Sequence, residues 1–412
     1  MAVGNGAEVC GERGGAAEGG AVKEGKPQVL LVTSLPYFQW RGSPIRVRFN
    51  LLALTELGYE VTLVTVPVGE ELPIPGVRVV RVGNPLGVKN LPIGPSLMKL
   101  FFDGLLLVKA RRVAQRLRPV VVHGIEDTGG IAVVVARSVG AGSVFEKHSD
   151  PGLYRGGGLK NVVMGLYRRV EAWVIRRADV VIGTGESLCE QARQVKPGVR
   201  AHHIFDLPSS LAEAEAGKRE GFRERFGGRE GVVAMYVGSF EAYQGLDLMF
   251  EAIPKAVEEC PGLRFVVIGG TKEQIAARQG WLEERGVGEK VMFPGKIPPD
   301  ELPSALAAAD VLLSPRSQGV NTPLKLLDYL KAGRPIVATE LPSNRRLLDE
   351  SMAVLCDPDP VSFAGAVVEL AGDGERRERM GRAGREVIER SYSFGEYKAR
   401  LGAVYDEARM GR

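Results

Sequence analysis

The stretch Ser314-Pro-Arg-Ser-Gln-Gly-Val-Asn-Thr-Pro-Leu-Lys-Leu-Leu-Asp328 gathers the residues best suited to chemistry. An apolar strand ends at Ser314, a loop with Gly319 and Asn321 follows, and helical spacing begins near Thr322 and Pro323. Thr322 is placed to cap that helix, and Pro323 suits its first position. The first-turn amides near Leu324 and Lys325 would then face an anion at the positive end of the helix dipole. Arg316 and Lys325 add formal charge, and Asp328 sits one turn further in, spaced to meet a pair of ribose hydroxyls. A capped helix whose charges simply face water fits the same residues.

Two further clusters carry titratable groups. His148 follows an apolar strand and is flanked by Glu146, Lys147 and Asp150, which is not a core environment. Glu126 and Asp127 follow another such strand at His123 and could hydrogen-bond a hydroxyl or ease its deprotonation. His202 and His203 read as linker or strand residues. Other motifs are excluded. No GxxxxGK[ST], HExxH or Gly-x-Ser-x-Gly occurs. Gly183-Thr-Gly185 lacks the third glycine of a dinucleotide fingerprint and reads as a strand–helix turn. Asp357-x-Asp359 lies in a Pro-containing loop before a helix, where capping is the expected role rather than metal binding.

These groups need a frame, and strand–helix alternation supplies it. Strands are expected at 28–34, 60–65, 77–82, 119–123, 142–146, 180–183 and 201–205. A helix is expected over 46–57. Another is expected over 95–117, with Met98, Phe102, Leu105 and Val108 on one face. The segment 206–231 breaks the rhythm with Pro208, Ser209, Ser210 and many charges. A second series follows, with strands at 232–238, 264–269, 290–294, 311–314, 335–338 and 352–355, and a last helix over 393–410. Two blocks of alternation predict an α/β protein of two doubly wound, Rossmann-like domains, 27–205 and 206–392, with their ligand in the cleft between them. Residues 1–26 read as a disordered tail.

The chain has 412 residues and a net charge of +4, too little to argue for nucleic acid. The charge is uneven: +10 over 27–205, −5 over 206–412 and −1 over 1–26. Four cysteines without paired spacing read as free thiols. No run reaches the roughly 18 apolar residues of a membrane span, and the tail has no signal-peptide core. The expected location is the cytoplasm. Lys99, Lys109, Arg111, Arg112, Arg116 and Arg118, with Arg168, Arg169, Arg176 and Arg177, could instead dock the first domain on anionic lipid at the cytoplasmic face.

The C-terminal half resembles the retaining family 4 glycosyltransferases of the GT-B fold. Lys331-Ala-Gly-Arg-Pro-Ile-Val-Ala-Thr339 matches the family's Ala-x-Gly-x-Pro-Val-Val-Ala-Thr run. Asp328 stands at the second glutamate of its Glu-x7-Glu motif, which binds the ribose. The first glutamate falls on Val320, with Gln318 the nearest polar substitute. Tyr236-Val-Gly-Ser-Phe-Glu-Ala-Tyr-Gln-Gly-Leu-Asp-Leu248 resembles the block whose arginine and lysine neutralise the donor diphosphate; here they are Ser239 and Gln244. Arg316 and Lys325 are the candidates to compensate. Phe293-Pro-Gly-Lys-Ile297 and Val267-Ile-Gly-Gly270 resemble the segments beside the base. Arg41-Gly-Ser-Pro-Ile45 resembles the glycine loop at the donor phosphate, and Phe145-Glu-Lys-His148-Ser-Asp150 the strand that ends beside the transferred sugar. Residues 393–405 resemble a helix crossing back to the first domain.

The resemblance implies a glycosyltransferase that moves a hexosyl group from a nucleotide sugar, UDP- or GDP-linked, to a glycan or lipid-linked acceptor hydroxyl with retention. It implies His148, Glu126 and Asp150 at the reacting sugar. Gly42, Ser239, Gln244, Arg316, Thr322, Leu324 and Lys325 meet the diphosphate, and Asp328 the ribose. Lys296, Ile297 and Gly270 meet the base; Gln318, Gly319, Val320 and Asn321 meet the donor sugar. No metal or other cofactor is expected. The same fold also serves nucleotide-sugar 2-epimerases, and the missing glutamate leaves room for a catalytically weak sugar-nucleotide-binding protein.

Overall fold

The computed structural model describes residues 25–40, 42–91, 96–150, 158–227, 231–319 and 323–411. The first sheet holds β1 (Gln28–Thr33), β2 (Glu60–Thr65), β3 (Val77–Arg81), β4 (Val121–Ile125), β5 (Gly142–Lys147), β6 (Val180–Gly183) and β7 (Ala201–His203). The second holds β8 (Val232–Val237), β9 (Leu263–Ile268), β10 (Val291–Gly295), β11 (Val311–Ser314), β12 (Ile336–Thr339) and β13 (Ala353–Cys356). The orders are β3-β2-β1-β4-β5-β6-β7 and β10-β9-β8-β11-β12-β13, and the paired strands run parallel. Strands covered on both faces must be apolar throughout; Val29, Leu30, Leu31 and Val32 of β1 have no exposed area.

The strand order reverses between β1 and β4, and again between β8 and β11. Such switch points open a crevice at the carboxyl ends of the strands. The chain after β1, β4 and β5 therefore meets the chain after β8 and β11 across one cleft.

Helices α1 (Gly42–Glu56), α2 (Leu97–Leu117), α3 (Gly129–Val139), α4 (Gly158–Arg177) and α5 (Glu186–Val195) accompany the first sheet. Around the second sheet lie α6 (Ala216–Arg225), α7 (Leu246–Glu259), α8 (Lys272–Glu283), α9 (Leu302–Ala307), α10 (Leu324–Lys331), α11 (Pro342–Arg345), α12 (Pro360–Gly372) and α13 (Gly374–Ser391). The last, α14 (Phe394–Met410), starts at Ser393, whose hydroxyl accepts from the Glu396 amide. It returns to the first sheet. Tyr397, Leu401, Val404, Tyr405 and Ala408 share one core with β1, β5 and α1. Gly142 makes this possible, because a Cβ there would stand 2.3 Å from the Ala408 carbonyl oxygen.

Four local expectations shift. α1 begins at Gly42 rather than Arg46, so residues 42–45 of the glycine segment open a helix rather than form a loop; Arg41 lies outside the described residues. β4 runs to Ile125, which puts His123 in mid-strand with no exposure. α10 begins at Leu324 with Pro323 at the cap position rather than in the helix; Thr322, expected as the cap, lies outside the described residues. The buried stripe of α2 is Phe102, Leu106, Ala110 and Ala114, an i, i+4 row. Met98 and Val108, expected on the buried face, are 37% and 49% exposed.

Candidate functional site

A cavity of about 690 Å³ opens where the first-sheet strand ends face α10. Ser43, Arg46, His148 and Asp150 line it from one side, and Pro323, Leu324, Leu327 and Arg346 from the other. Beneath its first-domain wall lies Glu146, a wholly buried carboxylate on β5. Arg46 Nε donates to it, Asn50 Nδ2 donates at 2.7 Å, and His148 Nε2 lies 2.7 Å away. His123 Nε2 lies 2.9 Å from its second oxygen. Burial opposes ionisation of Glu146, but the Arg46 guanidinium and both histidines outweigh it and hold the carboxyl well below its usual range. Burial likewise opposes charge on His148, yet the Glu146 hydrogen bond and charge, aided by Glu126, raise its pKa. The network runs on into the crossover helix, where Tyr397 Oη donates to Asn50 at 2.6 Å and Tyr405 Oη lies 2.8 Å from His123 Nδ1.

On the second-domain side, Pro323 offers no capping side chain to α10. Helix geometry leaves the Leu324 and Lys325 amides without partners inside the helix. Lys325 folds back toward the end of β8, where its Nζ donates to Gln244 Oε1 at 2.7 Å and lies 4.2 Å from the Tyr236 ring centroid. Among the described residues no carboxylate pairs with it. Burial, and secondarily Arg316, push its pKa down to about 7. Gly245 sets up this corner: with φ at +70°, it lets the loop pass so close that a Cβ would stand 1.8 Å from the Pro315 carbonyl oxygen. Thus the end of β8, the loop after β11 and the head of α10 converge on a part-buried lysine beside amides unused within the helix, an arrangement suited to a diphosphate.

Comparison with known proteins agrees with this geometry. Residues 231–373 match the family described as Glycosyl transferases group 1, and residues 42–208 match a Glycosyl transferase 4-like domain. The chain belongs to the group 1 glycosyltransferases. Phosphatidyl-myo-inositol mannosyltransferase of Mycobacterium leprae is 27% identical over 54% of this chain and 55% of its own length. The chain thus spans about half the length of that relative. A phosphatidylinositol N-acetylglucosaminyltransferase component of Arabidopsis thaliana is 24% identical over 93% of this chain and 82% of its own. Among solved structures, sucrose-phosphate synthase from Thermosynechococcus elongatus superposes with a TM-score of 0.71 at 20% identity, covering 92% of this chain and 98% of the other. Anabaena HepE in complex with UDP gives 0.68 at 12% identity, covering 91% and 98%. Both show the GT-B fold.

In this chain the expected site residues fare differently. His148, Asp150, Gly42 and Leu324 line the large cavity. Asp150 also accepts from Gln191 Nε2 at 2.8 Å. Lys325 and Gln244 meet directly, and the Ser239 carbonyl accepts from Tyr236 Oη at 2.8 Å. Ile297 and Leu324 pack on one core, Lys296 is exposed, and Gly270 at φ +77° lies under the Phe240 ring. Arg316 braces its own loop: Nε donates to the Gln318 carbonyl at 2.6 Å, and the guanidinium lies over Tyr243 and against Gly319. Val320, Asn321 and Thr322 lie outside the described residues.

Two of the expected site residues are held by partners within the protein. Glu126 does not reach toward an acceptor. At φ +56° its carboxylate turns inward, accepting from the His148 amide at 2.7 Å and from Ser149 Oγ at 3.1 Å. It clamps the histidine loop. Asp328 shares a helix face with Lys331 and accepts from the Ser209 amide at 2.6 Å and Ser209 Oγ at 3.0 Å. It borders a second cavity of about 430 Å³ between the linker, α9 and α10, not the large one. Asp359, by contrast, caps α12 through the Val361 and Ser362 amides. Glu146, Arg46 and Asn50 were missed. The available signal was charge inside Gly142-Ser-Val-Phe-Glu-Lys147, a strand that otherwise reads as buried.

Proposed function

We propose that this enzyme transfers a sugar from a nucleotide-sugar donor, UDP- or GDP-linked, to an acceptor hydroxyl with retention of anomeric configuration. The observation that carries the reading is Lys325, a part-buried lysine held by Gln244 and Tyr236 at the head of α10 with no carboxylate partner among the described residues. Ser239 and Gln244 stand where cations are expected, and Lys325 delivers its charge to Gln244. The departing diphosphate meets Lys325 and the α10 amides, with Arg316 bracing the loop beside them. This chemistry needs no metal. HepE, of the same fold, binds UDP, which supports a nucleotide-linked donor.

The acceptor we propose is lipid-linked, as the names of the phosphatidylinositol-directed relatives suggest. No helix among the described residues is long and apolar enough to cross a membrane. α2 instead exposes Leu97 (86%), Leu100 (67%) and Phe101, and α4 exposes Leu166 and Val170. Arg111, Arg112, Arg168 and Arg169 are exposed on the same helices. Apolar side chains among cations suit peripheral docking on anionic lipid at the cytoplasmic face.

A thermal-shift screen across UDP-, GDP-, ADP- and dTDP-sugars tests the donor. One nucleotide class should raise the melting temperature, and free nucleoside diphosphate should then appear only with an acceptor present. A sugar epimerised without acceptor would replace this reading with a 2-epimerase. Binding without turnover across acceptors would leave a binding protein.

A further inference from the structure

Ser43, His148 and Glu146 form a chain of three that the transfer reading does not yet use. Ser43 Oγ lies 2.9 Å from His148 Nδ1, and His148 Nε2 lies 2.7 Å from Glu146 Oε1. Ser43 and His148 border the large cavity. A serine, an imidazole and a carboxylate in this order are the parts of a nucleophile triad, in which histidine withdraws the serine proton. The surroundings set the opposite polarity. Glu146 accepts from Arg46 Nε and Asn50 Nδ2, with His148 Nε2 at 2.7 Å and His123 Nε2 at 2.9 Å. With Nε2–H given to Glu146, everything rests on Nδ1. A neutral ring accepts there from Ser43; a charged ring donates.

We infer that Glu146 is a positioning residue that fixes His148 as a cation donating Nδ1–H to Ser43 Oγ, so that the Ser43 hydroxyl turns its own proton into the cavity toward a substrate oxygen. The chemical class it reads is a lone-pair-rich oxygen, with a phosphate oxygen of the sugar nucleotide the best match to a donor polarised by a cation. This rests on the transfer reading for its substrate, but not for its geometry. Ser43 holds its place through the first turn of α1, set by Gly42 at φ +31°. Arg46 adds to the same wall. It is 4% exposed, borders the cavity and has an Nη2 with no partner among the described residues, while Nη1 is held by the Phe205 carbonyl and Asp206 at 2.9 Å each. Ser43 and Arg46 therefore both offer a donor to the cavity from this wall.

The charges facing His148 are Glu146 from β5, Glu126 from the turn after β4 and Arg46 from α1. Asp150, Glu186 of α5, His203, Asp206 of the linker and Arg346 of the second domain complete the cavity's titratable wall. The carboxylates on β5 and after β4 favour the imidazolium, and burial and Arg46 oppose it; the balance raises its pKa.

The test titrates His148 C2–H by NMR in the full chain, assigned with His148→Gln. The expected midpoint lies above 6.5, falls by at least about one pH unit in Glu146→Gln and is partly restored in Glu146→Asp. Transfer should follow: Glu146→Gln loses about tenfold more kcat at pH 8 than at pH 6, with the dissociation constant for the nucleotide sugar unchanged. Ser43→Ala should lower kcat by about 10- to 100-fold at both pH values without moving the His148 midpoint. A fluorophosphonate probe should leave Ser43 unlabelled. A wild-type midpoint at or below 6.5, covalent labelling of Ser43, or full activity of Ser43→Ala each overturns the inference. If Glu146→Gln does not fold, the wild-type titration, Ser43→Ala and the probe still decide it. The titration and the probe need no sugar transfer, so failure of the transferase reading alone removes only the kinetic arm.

Discussion

Replacing Lys325 by methionine keeps the length of the side chain and removes its charge. In the wild-type protein the ammonium has a pKa of about 7, lowered first by burial and then by Arg316. A nucleotide-sugar diphosphate, which does not itself titrate near neutrality, must restore the proton on binding. Affinity is then flat below pH 7 and weakens above it. The loss is about tenfold at pH 8 and about 100-fold at pH 9, provided the bound lysine titrates higher still. Calorimetry in buffers of different ionisation enthalpy should show uptake of about 0.9 proton at pH 8. At pH 6 the missing charge-assisted hydrogen bond costs about 1.5–3 kcal/mol, or roughly 10- to 150-fold in affinity. Lys325→Met should bind that much more weakly at pH 6, lose the pH slope and approach the wild type near pH 9. An unchanged slope in Lys325→Met, or no proton uptake by the wild type, refutes the assignment of this lysine to the diphosphate.

Three other outcomes are expected. Asp328 is pushed up to about 6 by burial, against the Ser209 hydrogen bonds and Lys331. A carboxyl raised on folding contributes stability below its unfolded value of 3.8, lost as pH rises through about 6. Asp328→Asn should therefore be more stable than wild type at pH 8, by roughly 1–2 kcal/mol after solvent screening, and equal to it at pH 4; thermal melts at both values check this. Glu126→Ala unclamps the His148 loop and should lower kcat by about 10- to 100-fold with nucleotide affinity intact, checked by kinetics beside calorimetry. Leu100→Glu with Phe101→Glu should abolish co-sedimentation with anionic vesicles and spare transfer to a soluble acceptor. Retained sedimentation would remove α2 from the membrane.

What the sequence disclosed follows from the range of the forces involved. Parallel strands buried on both faces are local apolar runs, so β1, β2, β6 and β11 lie where their letters place them. The head of α10 was visible for the same reason, as a strand, a glycine loop and a proline in succession. Lys325 could be named by type, but its reach to Gln244, 81 residues away in sequence, depends on β8 and β11 being neighbours. Charge in a buried strand marked Glu146, but its partners were beyond reach. Arg46 lies 100 residues from Glu146, and Tyr397 lies 347 from Asn50. The bond from Ser209 to Asp328 was not legible either, because nothing local says that the linker crosses that helix face. On α2 two apolar rows compete, and only packing against α3 and the sheet chooses the one through Phe102 and Leu106.

The most direct test of the central claim follows the anomeric carbon during turnover. Purified enzyme is given the α-linked nucleotide sugar that binds in the thermal screen, with a phosphatidylinositol acceptor in vesicles, and proton NMR follows the product. The account predicts acceptor-dependent release of nucleoside diphosphate and an α-glycoside, with both signals strongly reduced in Lys325→Met. A β-glycoside, or no release of nucleoside diphosphate with any donor that binds, contradicts it.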